Sequence, residues 1–311
     1  MKCKHCGSES IILKGRRKCH RSFNQTFKCK NCSKRFSLKH GKFDHAVILN
    51  AVGMYNSGKS LAKTSELVRK EFKIEVTPMT ILRWTKKYGG SYLRIREMLL
   101  EKYPGVDVIR SKQFVHSGLV YSFMIHQLKL REFCRYDGLK DYLSGLDDWV
   151  NKYFSSGTRC SQIQSSACVE VEEKRNFLCD AVNHALAACE DLKERHSIVQ
   201  KHLLYNDSST IAVEVPVWAY DKKLGPICGH IDAIQVRFGK LWVIDYKPGA
   251  AFLNKEKVIS QLYWYARALS FRAKVPFNEI RCCWFDGQKC MEFEPNKVRL
   301  KDRDASNENS V

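Results

Sequence analysis

The chain of 311 residues contains no run of about 18 apolar residues, so no segment of it suits a membrane span. No secretory leader is expected either: Met1-Lys2-Cys3-Lys4-His5-Cys6 is polar, and no apolar stretch follows it. Those two absences recast the 14 cysteines. In a secreted chain they would suggest a disulfide framework; here they point to a reducing interior, where thiols bind metal or lie buried. An intracellular protein, cytoplasmic or nucleoid-associated, is expected, with no membrane partner. Internal repeats are absent as well.

What the first third lacks is acid. The whole chain has 53 Lys+Arg and 33 Asp+Glu, and residues 1–90 hold 21 of the former but only 5 of the latter. The other 221 residues carry 32 against 28, so a net +16 of the total +20 is concentrated at one end. Lysines and arginines gathered this way suit a phosphate backbone, where each neutralised phosphate releases condensed counterions. DNA is the expected partner; a merely solvated basic surface or an RNA-bound tail is the alternative.

Two Cys-x-x-Cys knuckles, Cys3-Lys-His-Cys6 and Cys29-Lys-Asn-Cys32, are separated by 22 residues. Four thiolates at this spacing suit a tetrahedral structural zinc, two ligands coming from each tight turn. The segment between them is too small and polar to bury its own core, so metal binding would supply much of its folding free energy. Cys19 and His20, between the knuckles, are weaker candidates. The phrases Cys3-Lys-His-Cys6-Gly7-Ser8 and Phe27-Lys-Cys29-Lys-Asn-Cys32-Ser-Lys-Arg35-Phe36 resemble the N-terminal zinc ribbon of many prokaryotic transposases. That resemblance implies contact with DNA.

Gly53-Met-Tyr-Asn-Ser-Gly58-Lys59-Ser60 matches the phosphate-binding P-loop letter for letter. A P-loop needs a buried strand feeding its Gly-rich turn. The preceding residues instead repeat apolar side chains at helical spacing: Val47, Ile48, Ala51, Val52 and Tyr55. Three helices are the better parse: Asp44–Tyr55, Ser60–Phe72 and Pro78–Tyr88, the last opened by Thr77 as N-cap and Pro78 in the first turn. Met79, Thr80, Arg83, Lys86 and Lys87 on the third helix suit a recognition surface in the major groove, with Ile81, Leu82 and Trp84 packing behind them. The phrases Tyr-Asn-Ser-Gly-Lys-Ser-Leu and Thr-Ile-Leu-Arg-Trp resemble transposase and resolvase helix-turn-helix domains. A basic three-helix bundle that binds protein is the alternative.

The sharpest chemistry lies downstream, in Glu214-Val-Pro-Val, Gly229-His-Ile-Asp232, Leu241-Trp-Val-Ile-Asp245-Tyr-Lys247 and Gln261-Leu-Tyr-Trp-Tyr265. Residues two apart on a strand share a face, so Asp245 and Lys247 would project together. Asp232 ends a separate apolar stretch that can pair alongside. Two carboxylates and a lysine on adjoining strands can hold divalent ions that polarise a phosphodiester, while the lysine orients the nucleophile or stabilises charge.

This order resembles the RecB-type branch of the PD-(D/E)XK nuclease superfamily over about residues 175–295. The resemblance implies a restriction-endonuclease-like mixed sheet flanked by helices. It implies Asp232 and Asp245 as magnesium or manganese ligands, Lys247 as the catalytic lysine, and Gln261 and Tyr265 as a Q-x-x-x-Y pair bordering the site and contacting DNA. It also implies a metal-ligand histidine on an upstream helix, for which His184 is the best match and His196 the second. Glu214 falls at a frequent acidic strand position, either as a ligand or as a shaping group. Cys282, Cys283 and Cys290, with Cys179, raise an iron–sulfur cluster of the kind some relatives bind. However, Asp286-Gly287 signals a hairpin, and adjacent Cys282 and Cys283 would face opposite ways.

The expected fold is thus a multidomain α+β/α/β chain. It comprises a zinc ribbon (1–38), a three-helix helix-turn-helix domain (39–90), a helical spacer with a Ser-rich linker (91–168), the nuclease domain (169–300) and a disordered tail (301–311). The expected function is DNA-binding, metal-dependent phosphodiester hydrolysis. The alternative is a non-cleaving DNA-binding regulator or recombination accessory with an inactive nuclease fold.

Overall fold

A computed structural model describes residue 3 and residues 6–19, 22–37, 43–116, 118–146, 154, 156–163, 165–187 and 192–301. His20 and tail residues 302–311 lie outside them. Over the described residues the chain is a mixed α+β molecule with one large mixed sheet and two small ones. Among the described residues, no helix is long and apolar enough to cross a membrane.

The basic N-terminus forms an antiparallel sheet of β1 (Ile11–Cys19), β2 (Ser22–Cys29) and β3 (Arg35–Ser37). Its core is minimal: Phe27 stacks on Phe36 with ring centroids 5.7 Å apart, beside Cys3 and Cys29. Three helices follow, α1 (His45–Asn56), α2 (Leu61–Phe72) and α3 (Pro78–Tyr88). Each starts where a side chain satisfies the first free amides: Asp44 accepts from Ala46, Ser60 from Lys63 and Thr77 from Thr80. Val47, Ile48, Ala51, Val52, Val68, Ile81 and Trp84 close a small core among them. Residues 45–56 being helical, no strand leads into the P-loop-like phrase.

The expected helical spacer is a correction. After α4 (Arg96–Lys102), strands β4 (Ile109–His116) and β5 (Leu119–His126) form an antiparallel hairpin, and β5 pairs β9 at the edge of the large sheet. Helices α5 (Gln127–Phe133) and α6 (Asp137–Ser144) then pack Leu130, Leu139 and Leu143 into the same core as the central strands of the large sheet. The physical reason is local: His116 and Leu119 face each other across the turn containing Gly118 (φ 78°), and the β-branched and aromatic residues of 119–125 favour extended backbone. This segment is part of the sheet, not a spacer beside it.

Short strands β6 (Thr158–Arg159), β7 (Ser166–Cys168) and β8 (Glu172–Lys174) precede α7 (Phe177–Leu186) and α8 (Arg195–Asn206). The centre is an antiparallel meander of β9 (Thr210–Asp221), β10 (Gly225–Arg237) and β11 (Lys240–Tyr246). Helix α9 (Lys255–Ala273) crosses over to β12 (Ile280–Phe285), which lies parallel to β11; β13 (Cys290–Phe293) returns antiparallel. Strand order is β4-β5-β9-β10-β11-β12-β13-β8, with β6 pairing β10. The last strand, β14 (Arg299–Lys301), pairs β7.

Alternation along the strands builds two cores. Val243 and Cys282 face α9 with Leu262, Ala266 and Leu269, whereas Ile244 and Cys283 face α7 and α8 with Val182, Val199 and Leu203. The sheet is therefore covered by helices on both sides. Cys282 and Cys283 do lie on opposite faces, and Cys290 Sγ is 3.7 Å from Cys283 Sγ.

Helix α8 is tied to its surroundings at its C-terminal end. Lys129 on α5 is fully buried and donates to the Leu204 (2.6 Å) and Asp207 (2.7 Å) carbonyls. Asn56 at the end of α1 donates to Asn206 Oδ1 at 2.9 Å. Gly90 (φ 65°) lies so close that a Cβ there would meet the Asn206 carbonyl oxygen at 2.1 Å. Burial pulls the Lys129 ammonium from 10.5 to about 7 against the opposing pull of Asp207. The unfolded chain thus binds more protons than the folded one between those values, so stability rises with pH from about 7 towards 10.5. Urea unfolding across this window is expected to show a gain on the order of 2–4 kcal/mol that is missing in Lys129→Met. Equal pH slopes in the two proteins would contradict a depressed Lys129.

Candidate active site

Strand β10 carries Asp232 and strand β11 carries Asp245, and each has a definite partner. The Tyr246 amide donates to Asp232 Oδ2 at 2.8 Å, and Lys247 Nζ lies 2.8 Å from Asp245 Oδ2. Lys247 follows the last residue of β11, where its amide donates to the Phe285 carbonyl (2.9 Å) and continues the β11–β12 pairing. Asp245 and Lys247 therefore project together, as the Asp-x-Lys spacing requires.

Opposite Asp232 stands Glu214, between the pairs Ile231–Val215 and Ala233–Val213. Glu214 has φ 51°, in the left-handed region, which a non-glycine residue enters only at a cost of about 1–3 kcal/mol. The consequence is visible next door: Val213 packs into the α8 core but Val215 into the α9 core. The strand changes its facing at Glu214, and that twist turns the carboxylate toward Asp232.

Gln200, on α8, binds both acids, donating through Nε2 to Glu214 Oε1 (2.6 Å) and Asp232 Oδ1 (3.2 Å). Burial, then the Asp245 and Glu214 charges, hold the Asp232 carboxyl well above its ordinary range. Burial pulls the Lys247 ammonium down, but the Asp245 charge and hydrogen bond, with Asp232, outweigh it and raise its pKa. Glu214 Oε2 is shielded from water and accepts no hydrogen bond, whereas Asp245 Oδ2 is paired with the Lys247 ammonium. Crowded acids, one with a free oxygen, are a donor set that a hard divalent cation fits. No third ligand atom completes that set: among the described residues, the one grouping of three or more His, Cys, Asp or Glu ligand atoms within 4.8 Å is the four-cysteine set.

Gln261 and Tyr265 lie one turn apart on α9, joined by a 2.9 Å bond from Gln261 Nε2 to the Tyr265 hydroxyl. Both are buried, so they border the acids from beneath instead of presenting a face to solvent. Burial and then the Asp245 charge push the Tyr265 hydroxyl well up. Gly229 explains itself here: a Cβ would fall 2.2 Å from Tyr265 Cε1.

The upstream histidine is placed differently from the expectation. His184 is exposed on α7, because Leu178, Cys179, Val182 and Ala185 take that helix's buried face. Its charge bears on His202, which burial and then His184 and His45 lower to about 4. His196 is nearer the acids: its Nε2–H donates to the Tyr246 carbonyl (3.1 Å), and Asp245 and Lys247 both act on its charge. Burial dominates and lowers its pKa.

Sequence patterns gave no sign of Gln200, His116 or His230 as site residues. His116 Nδ1 on β4 lies 2.7 Å from His230 Nε2 on β10, and His230 Nδ1 lies 3.6 Å from Glu214 Oε2. Burial, then His230 and Arg159, hold His116 down at about 4, so it is neutral. The Gly-x-x-Asp phrase contains His230, but its partner is 114 positions away in a segment expected to be helical.

At the N-terminus, the thiols of Cys3, Cys6, Cys29 and Cys32 lie within 4.8 Å of one another and could hold a metal ion such as zinc. The Cys32 amide donates to Cys29 Sγ (3.5 Å) and, with further hydrogen bonds, lowers that thiol to about 6, toward the ligating thiolate. On α3, Met79, Arg83, Lys86 and Lys87 are exposed and Thr80 half-exposed, while Ile81, Trp84 and Thr85 are buried. No family model, curated protein or solved structure matches this chain.

Two outcomes follow from this geometry. Gly229→Ala must push Tyr265 off α9's inner face, with an expected loss of about 1–3 kcal/mol in denaturant unfolding; an unchanged midpoint would contradict the packing. A strong zinc chelator should release one zinc per chain and unravel β1–β3, read as amide exchange confined to residues 11–37. Cys29→Ser should release the metal without chelator, and retention of stoichiometric zinc would refute the four-thiolate site.

Proposed function

We propose that this protein is a DNA-directed, metal-dependent phosphodiesterase, its N-terminal ribbon and helix-turn-helix delivering a PD-(D/E)XK-type nuclease to its substrate. One observation carries the reading: Asp232 and Asp245 come from adjoining strands, with Lys247 Nζ 2.8 Å from Asp245, in a mixed sheet covered by helices. A structural ion pair alone would leave the raised, crowded Asp232 unexplained.

Asp232 and Asp245 would hold magnesium or manganese, which when bound would supply Lewis-acid polarisation of the phosphodiester and a more acidic attacking water. Lys247 keeps its proton because two carboxylates favour it, so it stabilises charge that develops on the phosphate. Gln200 fixes the rotamers of Glu214 and Asp232. The burial of Gln261 and Tyr265 keeps the floor of the site dry. Arg83, Lys86 and Lys87, in a segment of net +16, would meet the backbone phosphates and base edges.

The deciding assay incubates zinc-loaded protein with labelled linear, circular and single-stranded DNA and magnesium or manganese, beside Asp245→Ala and Lys247→Ala. Metal-dependent cleavage is expected, with losses on the order of 10²-fold or more in either variant. The preferred substrate separates end-processing from internal cutting. DNA binding without cleavage in the wild type would establish the non-cleaving regulator instead. Replacing Arg83, Lys86 and Lys87 by alanine should weaken DNA binding and flatten its salt dependence by roughly one unit of slope for each phosphate that is no longer neutralised.

A further inference from the structure

We propose that Glu214 and His230 form a second cation clamp beside the Asp232–Asp245 pair, one whose imidazole selects manganese or a similar transition-metal ion over magnesium. Glu214 Oε2 and His230 Nδ1 face each other at 3.6 Å, and neither has a hydrogen-bond partner among the described residues. That separation is too long for a direct N–H···O bond. It suits two atoms that each sit at about 2.0–2.2 Å from a shared ion.

The outer atoms of both groups are already committed. Glu214 Oε1 accepts from Gln200 at 2.6 Å, and His230 Nε2 is bonded to neutral His116 at 2.7 Å. His116 Nε2 in turn lies 3.7 Å from Cys228 Sγ. With the shared proton on His230 Nε2, the lone pair of Nδ1 points at Glu214, and His116 Nε2–H points at the sulfur. A ligand histidine held through its other nitrogen is how proteins aim imidazole at metals. Phe114, Tyr121 and Phe154 surround the pair, the Tyr121 ring centroid 3.9 Å from that of His230. A mixed nitrogen and oxygen set favours manganese or iron over magnesium, which prefers all-oxygen shells.

The clamp rests on the nuclease reading for the chemistry it would serve, and its test does not use cleavage. Manganese is titrated into the zinc-loaded full chain without DNA and followed by pulsed electron paramagnetic resonance. Wild type should show imidazole nitrogen coupled to bound manganese, lost in His230→Gln together with about tenfold or more of manganese affinity. Magnesium affinity, measured by competition, should change by less than about threefold. Glu214→Gln, which keeps the imidazole, should also weaken manganese by about tenfold, so the question stays open to refutation even if the histidine variant misfolds. No nitrogen coupling in wild type, coupling retained in His230→Gln, coupling lost in His196→Gln instead, or unchanged affinity in Glu214→Gln would each overturn the clamp. Nitrogen coupling that follows His230 in a chain that never cuts DNA would remove the nuclease reading and leave the clamp standing; cleavage without that coupling would do the reverse.

Discussion

Three carboxylates at the centre of a buried sheet are the constraint around which the molecule is arranged. Each ionised acid moved into the interior costs several kcal/mol unless partners replace its water. The partners here come from several sides: Gln200 from α8, the Tyr246 amide from β11 and Lys247 from the end of that strand. Even so, Asp232 remains raised and Glu214 Oε2 accepts no hydrogen bond. Stability alone would favour replacing such a cluster with apolar side chains. Its presence at a backbone kink is the pattern expected of a site kept for chemistry.

Helix α8 links that cluster to the rest of the chain. Its first half supplies His196 and Gln200, its middle packs Val199 and Leu203 under the sheet, and its end is gripped by Lys129, Asn56 and Gly90. The hairpin 109–126 does the same from the other side, adding two strands to the sheet and His116 to the site.

Much of this was legible in the sequence where the signal is local. Asp44, Ser60 and Thr77 mark the helix starts because capping is a matter of three or four neighbouring residues. The Cys-x-x-Cys knuckles and the Asp-x-Lys strand are read from spacing alone. The hairpin was not legible. Its solvent side carries Ser111, Lys112 and Gln113, and its tip exposes Val115, Leu119 and Val120, so the alternation that marks a half-buried strand is blurred. Gln200 is a polar residue on a helix without a motif, and its role appears only when β9 and β10 are placed under it. His184 satisfied a pattern, yet the apolar spacing of its own helix turns it outward.

The bond between Asn56 and Asn206 is buried, and no side chain larger than hydrogen fits at Gly90 beside it. The three helices and the sheet therefore share a rigid seam where a flexible tether would otherwise join them. A seam of this kind works as a calliper: it holds the exposed face of α3 and the acids of β10 and β11 at a set spacing, and under the proposed function that spacing would decide where the acids meet whatever α3 grips.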